Sequence, residues 1–122
     1  MCLSLFASGV PFPELCEHPF VTAQGSALSR YRRALERRHI FGAEIAAKEM
    51  AYVSLRDALG LLTLYASEDS PKYARASTRW LGRLALESDD VTLDDLQLAA
   101  AALQALSRRP DSSSRILTEL SR

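Results

Sequence analysis

One short segment of the chain brings metal-ligating side chains together. Cys16, Glu17 and His18 are consecutive, and Glu14 lies just before them. A structural zinc site takes four ligands at characteristic spacing, and this proline-rich segment offers at most three. His39 stands alone farther along the chain, where we expect it to contact the last carbonyl groups of a helix. The sequence therefore predicts no metal site.

Carboxylates are frequent, but their spacing does not fit an acid–base pair or a calcium loop. Glu44 and Glu49 lie on one predicted helix at a spacing that points them to different sides, so they cannot share a proton across one substrate. The aspartate pairs at 89–90 and 94–95 lack the alternating ligands and the glycine of a calcium loop. The sequence also has no glycine-rich phosphate loop and no nucleophile elbow. We predict no catalytic residue, no cofactor and no small-molecule substrate, and thus a protein that is not an enzyme.

Arginine is the charged residue whose placement forms a pattern. Of the fifteen basic residues thirteen are arginines, a bias that G+C-rich coding explains more simply than selection for bidentate contacts. The basic residues of the predicted fourth helix fall within about a quarter of its circumference. A second basic face lies on the predicted first helix. The candidate partner-binding residues on these two faces are Arg30, Arg33, Arg37, Lys72, Arg75, Arg79 and Arg83.

These basic faces have three interpretations. The commonest is a solvated surface with internal pairing, since a block of carboxylates follows the second face. The arginines can instead bind an acidic protein partner, or they can neutralise the phosphates of a nucleic acid while Tyr73 or Trp80 stacks on bases. The acidic block consists of Glu87, Asp89, Asp90, Asp94 and Asp95.

Composition limits the class of protein. A chain of 122 residues that is 48% apolar fits one domain able to bury a core without disulfides or metals. Abundant Leu and Ala, against five Gly and five Pro, favour helix over sheet. A formal net charge of zero provides no overall field toward nucleic acid or a membrane surface. Cys2 and Cys16 lie outside the helical part of the sequence, so we expect free thiols and predict a cytoplasmic protein.

Residues 1–25 differ in kind from the rest. They contain Pro11, Pro13 and Pro19 and no sustained period, a pattern that prevents a helix from propagating. The apolar stretch at 3–10 is too short to span a bilayer, and no Lys or Arg precedes it. We predict an irregular, partly disordered segment, with Phe12 or Phe20 laid onto the helical body. A translated leader from a misplaced start is the alternative.

Capped amphipathic helices are predicted from Ser26 to the end of the chain. Ser54, Ser70 and Thr92 are the expected N-caps. The expected helices cover residues 26–39, a short stretch around 45–50, 55–66, 71–87, 93–109 and 112–120. The third is apolar on every side and should be the buried central element, whereas the last has few apolar residues and should dock weakly. Together they form three αα-hairpins that begin near residues 27, 54 and 92.

Residues 45–56 resemble a DNA-binding helix-turn-helix, but the match fails in two places. The turn has Ala51 where the motif usually has glycine, and an extra residue precedes Val53. The second helix then offers only Arg56 and Asp57 before it becomes apolar, whereas a recognition helix needs several polar side chains to reach base edges. This motif gives little support to sequence-specific DNA binding.

The first hairpin is similar in its residue pattern to a tetratricopeptide-type hairpin, with small residues where the helices meet. The similarity covers Tyr31-Arg32-Arg33-Ala34-Leu35 and Gly42-Ala43-Glu44-Ile45-Ala46-Ala47. The motif's tryptophan, Leu-Gly pair and terminal proline are missing from their positions, and the later hairpins do not repeat it.

The stretch from Ser29 to Leu106 also resembles small uncharacterised all-helical proteins of actinobacteria. The segments that carry this resemblance include Tyr31-Arg32-Arg33-Ala34-Leu35-Glu36-Arg37 and Arg79-Trp80-Leu81-Gly82-Arg83. The resemblance implies a bacterial helical protein and transfers no functional residue.

We therefore predict one all-α domain over residues 26–122, either a helical bundle or a short solenoid-like stack of three αα-hairpins. Its predicted function is a protein–protein interaction or adaptor module that binds an unknown protein partner through the basic faces of the first and fourth helices. The alternative is a nucleic-acid-associated protein that uses the same arginines. No membrane partner is expected.

Overall fold

The computed structural model describes the backbone of residues 19–122 and the side chains of residues 27–122. Six helices and no strand lie in this part of the chain, which confirms the predicted all-α class. The helices are α1 (Pro19–Glu36), α2 (Ile40–Glu49), α3 (Leu55–Ser67), α4 (Tyr73–Glu87), α5 (Leu93–Ala105) and α6 (Pro110–Leu120). None of these helices is long and apolar enough to cross a membrane.

The chain divides into two compact units, Met1–Ala51 and Tyr52–Arg122. In the first unit, α1 packs against α2. In the second, α3 packs against α4 and α6, and α5 packs against α4 and α6. The three predicted hairpins are therefore present as α1–α2, α3–α4 and α5–α6. That residues 26–122 form a single domain stays a prediction.

The start of α1 differs from the sequence-based boundary. The helix begins at Pro19 rather than at Ser26. Proline fits the first turn of a helix because the N–H groups there have no partner within the helix, so our proline argument did not exclude this start. The remainder of the predicted irregular segment, including Cys2, Cys16 and Phe12, lies outside the described residues.

Small side chains form the contact between α1 and α2. Tyr31 and Ala43 are fully buried. Their neighbours in this contact are small, which lets the two helices approach closely, as the sequence suggested for this hairpin. The other buried residues of the first unit are Ala27, Ala34 and Ala46.

The turn between α1 and α2 corrects the role predicted for His39. Arg38 adopts a left-handed conformation with φ 58°, and the His39 N–H then donates to the Ala34 carbonyl oxygen at 2.8 Å. The imidazole turns forward to α2, where its Nδ1 accepts a hydrogen bond from the Gly42 N–H at 3.1 Å. His39 is therefore the N-cap of α2 and not the last residue of α1.

Two predicted N-caps are confirmed. The Ser54 hydroxyl oxygen accepts from the Asp57 N–H at 3.1 Å at the start of α3. At the start of α5, the Thr92 hydroxyl oxygen accepts from the Asp95 N–H, and the Asp95 carboxylate accepts from the Thr92 N–H, each at 3.1 Å. This capping box satisfies two N–H groups that the helix itself leaves without partners.

Two prolines mark helix starts differently from the prediction. α4 begins at Tyr73, after a turn that contains Pro71, in which the Ser70 hydroxyl oxygen accepts from the Lys72 N–H at 3.2 Å. Ser70 therefore caps this turn and not α4 itself. The fifth helix, expected to reach residue 109, ends at Ala105, and Pro110 occupies the first turn of α6.

The core of the second unit is built around α3. Leu59 and Leu62 are 5% and 3% exposed, which confirms the predicted central position of this helix. Leu84 of α4 and Leu117 of α6 are fully buried in the same cluster. The expectation that the last helix docks weakly is wrong, because the Leu117 side chain is fully buried in this core. Periodicity alone did not distinguish Leu117 from the other apolar residues of the helix.

Candidate functional site

Arg30, on the basic face of α1, is paired within the first unit. Its Nη2 donates a hydrogen bond to Glu49 Oε1 on α2. This hydrogen bond raises the pKa of Arg30 and lowers the pKa of Glu49. Arg30 therefore links α1 to α2 through an exposed ion pair and has less capacity to bind a partner than its neighbours on α1.

Arg33 and Arg37 are the available arginines of this face. Both are exposed, and neither makes a hydrogen bond or ion pair with the side chains described from residue 27 onward. They border an open cleft of about 530 Å³ between α1 and α2. The cleft is lined by Arg30, Arg33, Ala34, Arg37, His39, Gly42 and Ile45.

Large apolar side chains lie beside this cleft. Ile45 is 41% exposed and forms part of its wall, and Phe41 is 66% exposed. Residues four apart lie on the same side of a helix, so Phe41 and Ile45 form one apolar strip along α2. The first unit thus combines an apolar strip with two guanidinium groups that have no partner in the described structure.

The basic face of α4 is interrupted by an internal network at Arg83. Arg83 Nε donates to Glu87 Oε2 at 2.7 Å, and Arg83 Nη2 donates to the Val53 carbonyl oxygen at 2.7 Å. Nη2 also lies 3.2 Å from the Tyr52 hydroxyl, which donates to Glu87 Oε1 at 2.8 Å. The guanidinium carbon lies 5.4 Å from the centre of the Tyr52 ring, within the range of a cation–π contact.

This network makes Arg83 a structural residue that holds two parts of the second unit together. Its hydrogen bond to Glu87 is the main cause that lowers the pKa of Glu87, with the Tyr52 hydroxyl adding to the effect. The same hydrogen bond raises the pKa of Arg83. Arg83 therefore ties α4 to the segment that enters α3 through its Nε–H and Nη2–H donors.

Arg75 and Arg79 are the α4 arginines without partners. Both are exposed, and neither guanidinium group makes a hydrogen bond or ion pair with a described residue. Gly82 and Leu86 continue the same exposed side of α4, and Leu86 is 87% exposed. Lys72 is exposed at the N-cap position, where it makes contacts of its own.

The acidic block that follows α4 is only partly used in internal pairs. Glu87 pairs with Arg83, and Asp95 closes the capping box with Thr92. Asp89, Asp90 and Asp94 are exposed and have no hydrogen bond or ion pair with any residue that the structure describes. Internal pairing thus accounts for one arginine of the α4 face and leaves two.

The aromatic residues proposed for base stacking have other roles. Trp80 is 2% exposed, and its Nε1–H donates to the Leu55 carbonyl oxygen at 2.9 Å, so α4 is fixed to α3. The Tyr73 hydroxyl donates to the Leu103 carbonyl oxygen at 2.5 Å and ties α4 to α5, and burial raises its pKa. The Trp80 ring is buried and cannot stack on a base. This part of the nucleic-acid interpretation is therefore wrong for Trp80.

Two further open clefts lie in the second unit. One, of about 410 Å³, lies between α4 and α5 and includes Leu81 and Leu103 in its lining. The other, of about 600 Å³, has a polar lining that includes Arg56 and Asp90. Among the described residues no group of three or more His, Cys, Asp or Glu is placed to hold a metal ion. The earlier candidates Glu14, Cys16, Glu17 and His18 lie outside that part of the chain.

The sequence alone missed several residues of these surfaces. The four-residue spacing of Arg83 and Glu87 was a usable signal for a helical ion pair. Tyr52 and Glu49 offered no local signal, because their contacts join positions that are distant in the sequence. The exposure of Phe41 and Leu86 was likewise hidden, since each was an apolar residue within a periodic pattern.

Comparison of the chain with protein-family models, curated proteins and solved structures finds no significant match. The resemblances to tetratricopeptide hairpins and to actinobacterial helical proteins therefore stay predictions.

Proposed function

We propose that the protein is a cytoplasmic protein–protein interaction module that binds an acidic segment of a partner in the cleft between α1 and α2. One observation carries this proposal. Arg33 and Arg37 have no partner in the described structure and border a cleft whose wall includes the exposed Ile45. Guanidinium groups recognise carboxylates through paired hydrogen bonds, and apolar side chains provide the affinity that charge alone does not.

The expected ligand has two chemical features. Carboxylates on the partner segment face Arg33 and Arg37, and a large apolar side chain covers Ile45 and Phe41. The charges direct association and fix the orientation of the segment, while the apolar contact slows its dissociation. A protein of zero net charge relies on such local complementarity, because its overall field attracts neither sign of charge.

A display library of random peptides, selected against the full chain, tests the proposal. We expect the selected peptides to be enriched in Asp and Glu around a Leu, Phe or Trp residue. Labelled synthetic copies, measured by fluorescence anisotropy, should bind at least about tenfold more weakly to the variant Arg33→Glu/Arg37→Glu and to Ile45→Gln. Selected peptides without this composition would contradict the proposal.

A matched charge reversal serves as the control. Arg108 and Arg109 are exposed in the turn between α5 and α6 and have no hydrogen bond through their side chains to any described residue. The variant Arg108→Glu/Arg109→Glu changes net charge by the same amount and should bind the peptides as the parent does. An equal loss in both double variants would show that only net charge matters and would overturn the assigned site.

Oligonucleotides distinguish the alternative function. Random-sequence duplex and single-stranded DNA are titrated under the same conditions and at several salt concentrations. If they bind more tightly than the selected peptides, with log K falling linearly against log salt, phosphate neutralisation is the function and the proposal is wrong. Weaker binding than that of the peptides supports it.

A further inference from the structure

The chain itself contains a segment with both features expected of the ligand of the α1–α2 cleft. Phe12, Glu14 and Leu15 place a carboxylate between large apolar side chains a few residues before α1 begins, outside the described residues. Residues 1–29 contain two carboxylate side chains and no Lys or Arg, whereas residues 30–38 contain five arginines and one glutamate. The two stretches are therefore complementary in charge.

The cleft offers matching groups that the described residues leave unused. The guanidinium groups of Arg33 and Arg37 border it and make no hydrogen bond or ion pair with a described residue. Ile45 forms part of its apolar wall and is 41% exposed. A carboxylate that lies two residues from an aromatic ring can bind a guanidinium group while the ring covers this wall.

The length of α1 determines which residues of the segment can reach the cleft. Arg33 follows Pro19 by fourteen residues, which is about 21 Å along the helix axis. Val10 and Phe12 each precede a proline, which favours an extended path that covers about 3.1–3.4 Å per residue. Because Phe12 precedes Pro19 by seven residues, an extended return path of about 22–24 Å brings it level with Arg33.

The two glutamates of the segment differ in their reach. Glu14 precedes Pro19 by five residues and can extend about 16–17 Å back along α1. Helical side chains tilt toward the start of their helix, so the guanidinium group of Arg33 can meet the Glu14 carboxylate. Glu17 precedes Pro19 by only two residues, and its reach of about 6–7 Å keeps it near the start of α1. Glu17 therefore provides a matched control for Glu14.

We propose that the segment before α1 runs back along this helix and occupies the α1–α2 cleft of its own chain. The Glu14 carboxylate binds Arg33, and the Phe12 ring covers Ile45. This inference rests on the proposed function, because the segment competes with the partner for the same cleft and acts as an autoinhibitory ligand. A segment this close in sequence has an effective concentration of about 1 mM or more, so that even a weak contact fills the cleft for part of the time.

A spin label on the full chain tests the contact in the absence of any partner. Ser8 precedes Pro19 by eleven residues, and about 34–37 Å of extended chain carries it to the turn between α1 and α2. A nitroxide on Ser8→Cys, in a background with both native cysteines changed to Ser, should broaden the amide resonances of Arg38 and Gly42 at this turn. Absence of this broadening overturns the inference.

Charge variants of the labelled chain test the assigned pair. Glu14→Lys should reduce the broadening at least about twofold, whereas Glu17→Lys, with the same change in charge, should leave it unchanged. Arg33→Glu should also reduce it, and Glu14→Arg/Arg33→Glu should restore it. A double variant that does not restore the broadening excludes the pair. Broadening of an isotope-labelled chain by the nitroxide of a second chain would place the segment on another copy and would likewise overturn the intrachain contact.

Peptide affinity tests the autoinhibition. The acidic peptides selected against the full chain should bind Glu14→Lys and Phe12→Ser at least about threefold more tightly than the parent, because the cleft is then open. Glu17→Lys should bind them as the parent does. Equal affinity of Glu14→Lys and Glu17→Lys would show that the segment does not compete for the cleft, and the autoinhibition is then wrong.

The two measurements separate this inference from the proposed function. If no peptide binds at the cleft while the broadening depends on Glu14, the proposed function is wrong and the intrachain contact stands. If peptides bind through Arg33 and Arg37 but the broadening is absent, the contact is wrong and the proposed function stands. Broadening that persists when a peptide saturates the chain would show that the segment and the peptide occupy different places, and would overturn the inference.

Discussion

Arg79 and Arg83 are one turn apart on α4 and have opposite roles in the structure. Arg83 is held by Glu87 and the Val53 carbonyl oxygen, whereas Arg79 is exposed without a partner among the described residues. We predict that Arg83→Gln lowers the free energy of unfolding by about 1–2 kcal/mol, because it removes charge-assisted hydrogen bonds at a partly buried site. Arg79→Gln should change it by less than about 0.5 kcal/mol. Urea denaturation monitored by circular dichroism measures both.

The comparison is matched because the two substitutions are the same and lie on the same helix. Equal stability of the two variants would mean that the Arg83 network is too solvated to contribute, as most surface ion pairs are. A large loss on Arg79→Gln would show that this residue has a structural contact and would remove it from the candidate partner-binding residues.

Glu87 makes the contribution of this network depend on pH. Its pKa in the folded protein lies below the usual value of 4.5, chiefly because Arg83 donates to its carboxylate. A lowered pKa contributes stability above the unfolded pKa, and that contribution is lost as pH falls through the folded pKa. As pH falls from about 6 to about 3, the Tm of the parent should therefore decrease more than the Tm of Glu87→Gln. Parallel Tm curves for the two proteins would contradict this prediction.

At the residue scale, contacts between residues close in the sequence were predictable, and contacts between residues distant in the sequence were not. Ser54 and Thr92 were predicted as N-caps because their partners lie three residues away. His39 was misassigned, since a helix boundary shifted by a few residues exchanges the end of one helix for the start of the next. The partners of Tyr52 depend on packing that the sequence does not encode locally.

At the element scale, two helical glycines should respond in opposite ways to the same substitution. Gly82 lies exposed in α4, where a Cβ atom meets nothing within 4 Å. Gly42 lies in the first turn of α2, where a Cβ atom would come within 2.5 Å of His39 Nδ1. Gly82→Ala should raise the free energy of unfolding by about 0.5–1 kcal/mol through helix propensity alone. Gly42→Ala should bring no such gain, because the imidazole must leave its capping position, at a cost of about 0.5–2 kcal/mol.

The His39→Ala background provides the control for Gly42. With the imidazole absent, Gly42→Ala should become stabilising by about the same 0.5–1 kcal/mol as Gly82→Ala. Chemical denaturation measures the four combinations. A gain from Gly42→Ala that is the same with and without His39 would show that the capping hydrogen bond has no energetic weight.

The helices themselves were the most predictable feature of the molecule. α3 was anticipated at nearly its observed bounds, because its cap and its continuous apolar surface both lie within the segment. The packing strength of α6 was not predictable, since burial of Leu117 depends on where α3 and α5 lie. Which arginines are paired was likewise fixed only by the arrangement of the helices.

At the scale of the whole molecule, the second unit contains its own core. The buried cluster of this unit joins α3, α4, α5 and α6, and Trp80 and Tyr73 tie α4 to its neighbours by hydrogen bonds within the unit. We predict that a fragment of residues 52–122 folds on its own, with helical circular dichroism and a cooperative thermal transition. A fragment of this size has limited buried area, so its stability should be only a few kcal/mol, on the order of 3–5.

The exact start of that fragment should matter. Tyr52 and Val53 belong to the Arg83 network, although they precede α3 and contribute little to the apolar core. A fragment of residues 54–122 retains the Ser54 cap and every residue of the buried cluster but loses both of these partners of Arg83. It should therefore melt several degrees below the 52–122 fragment, since about 1 kcal/mol shifts the Tm of a domain this small by roughly 4–8 °C.

Adding Arg83→Gln to each fragment completes the comparison: the substitution should lower the Tm of the 52–122 fragment more than that of the 54–122 fragment. An equal shift in both would mean that Arg83 acts through Glu87 alone.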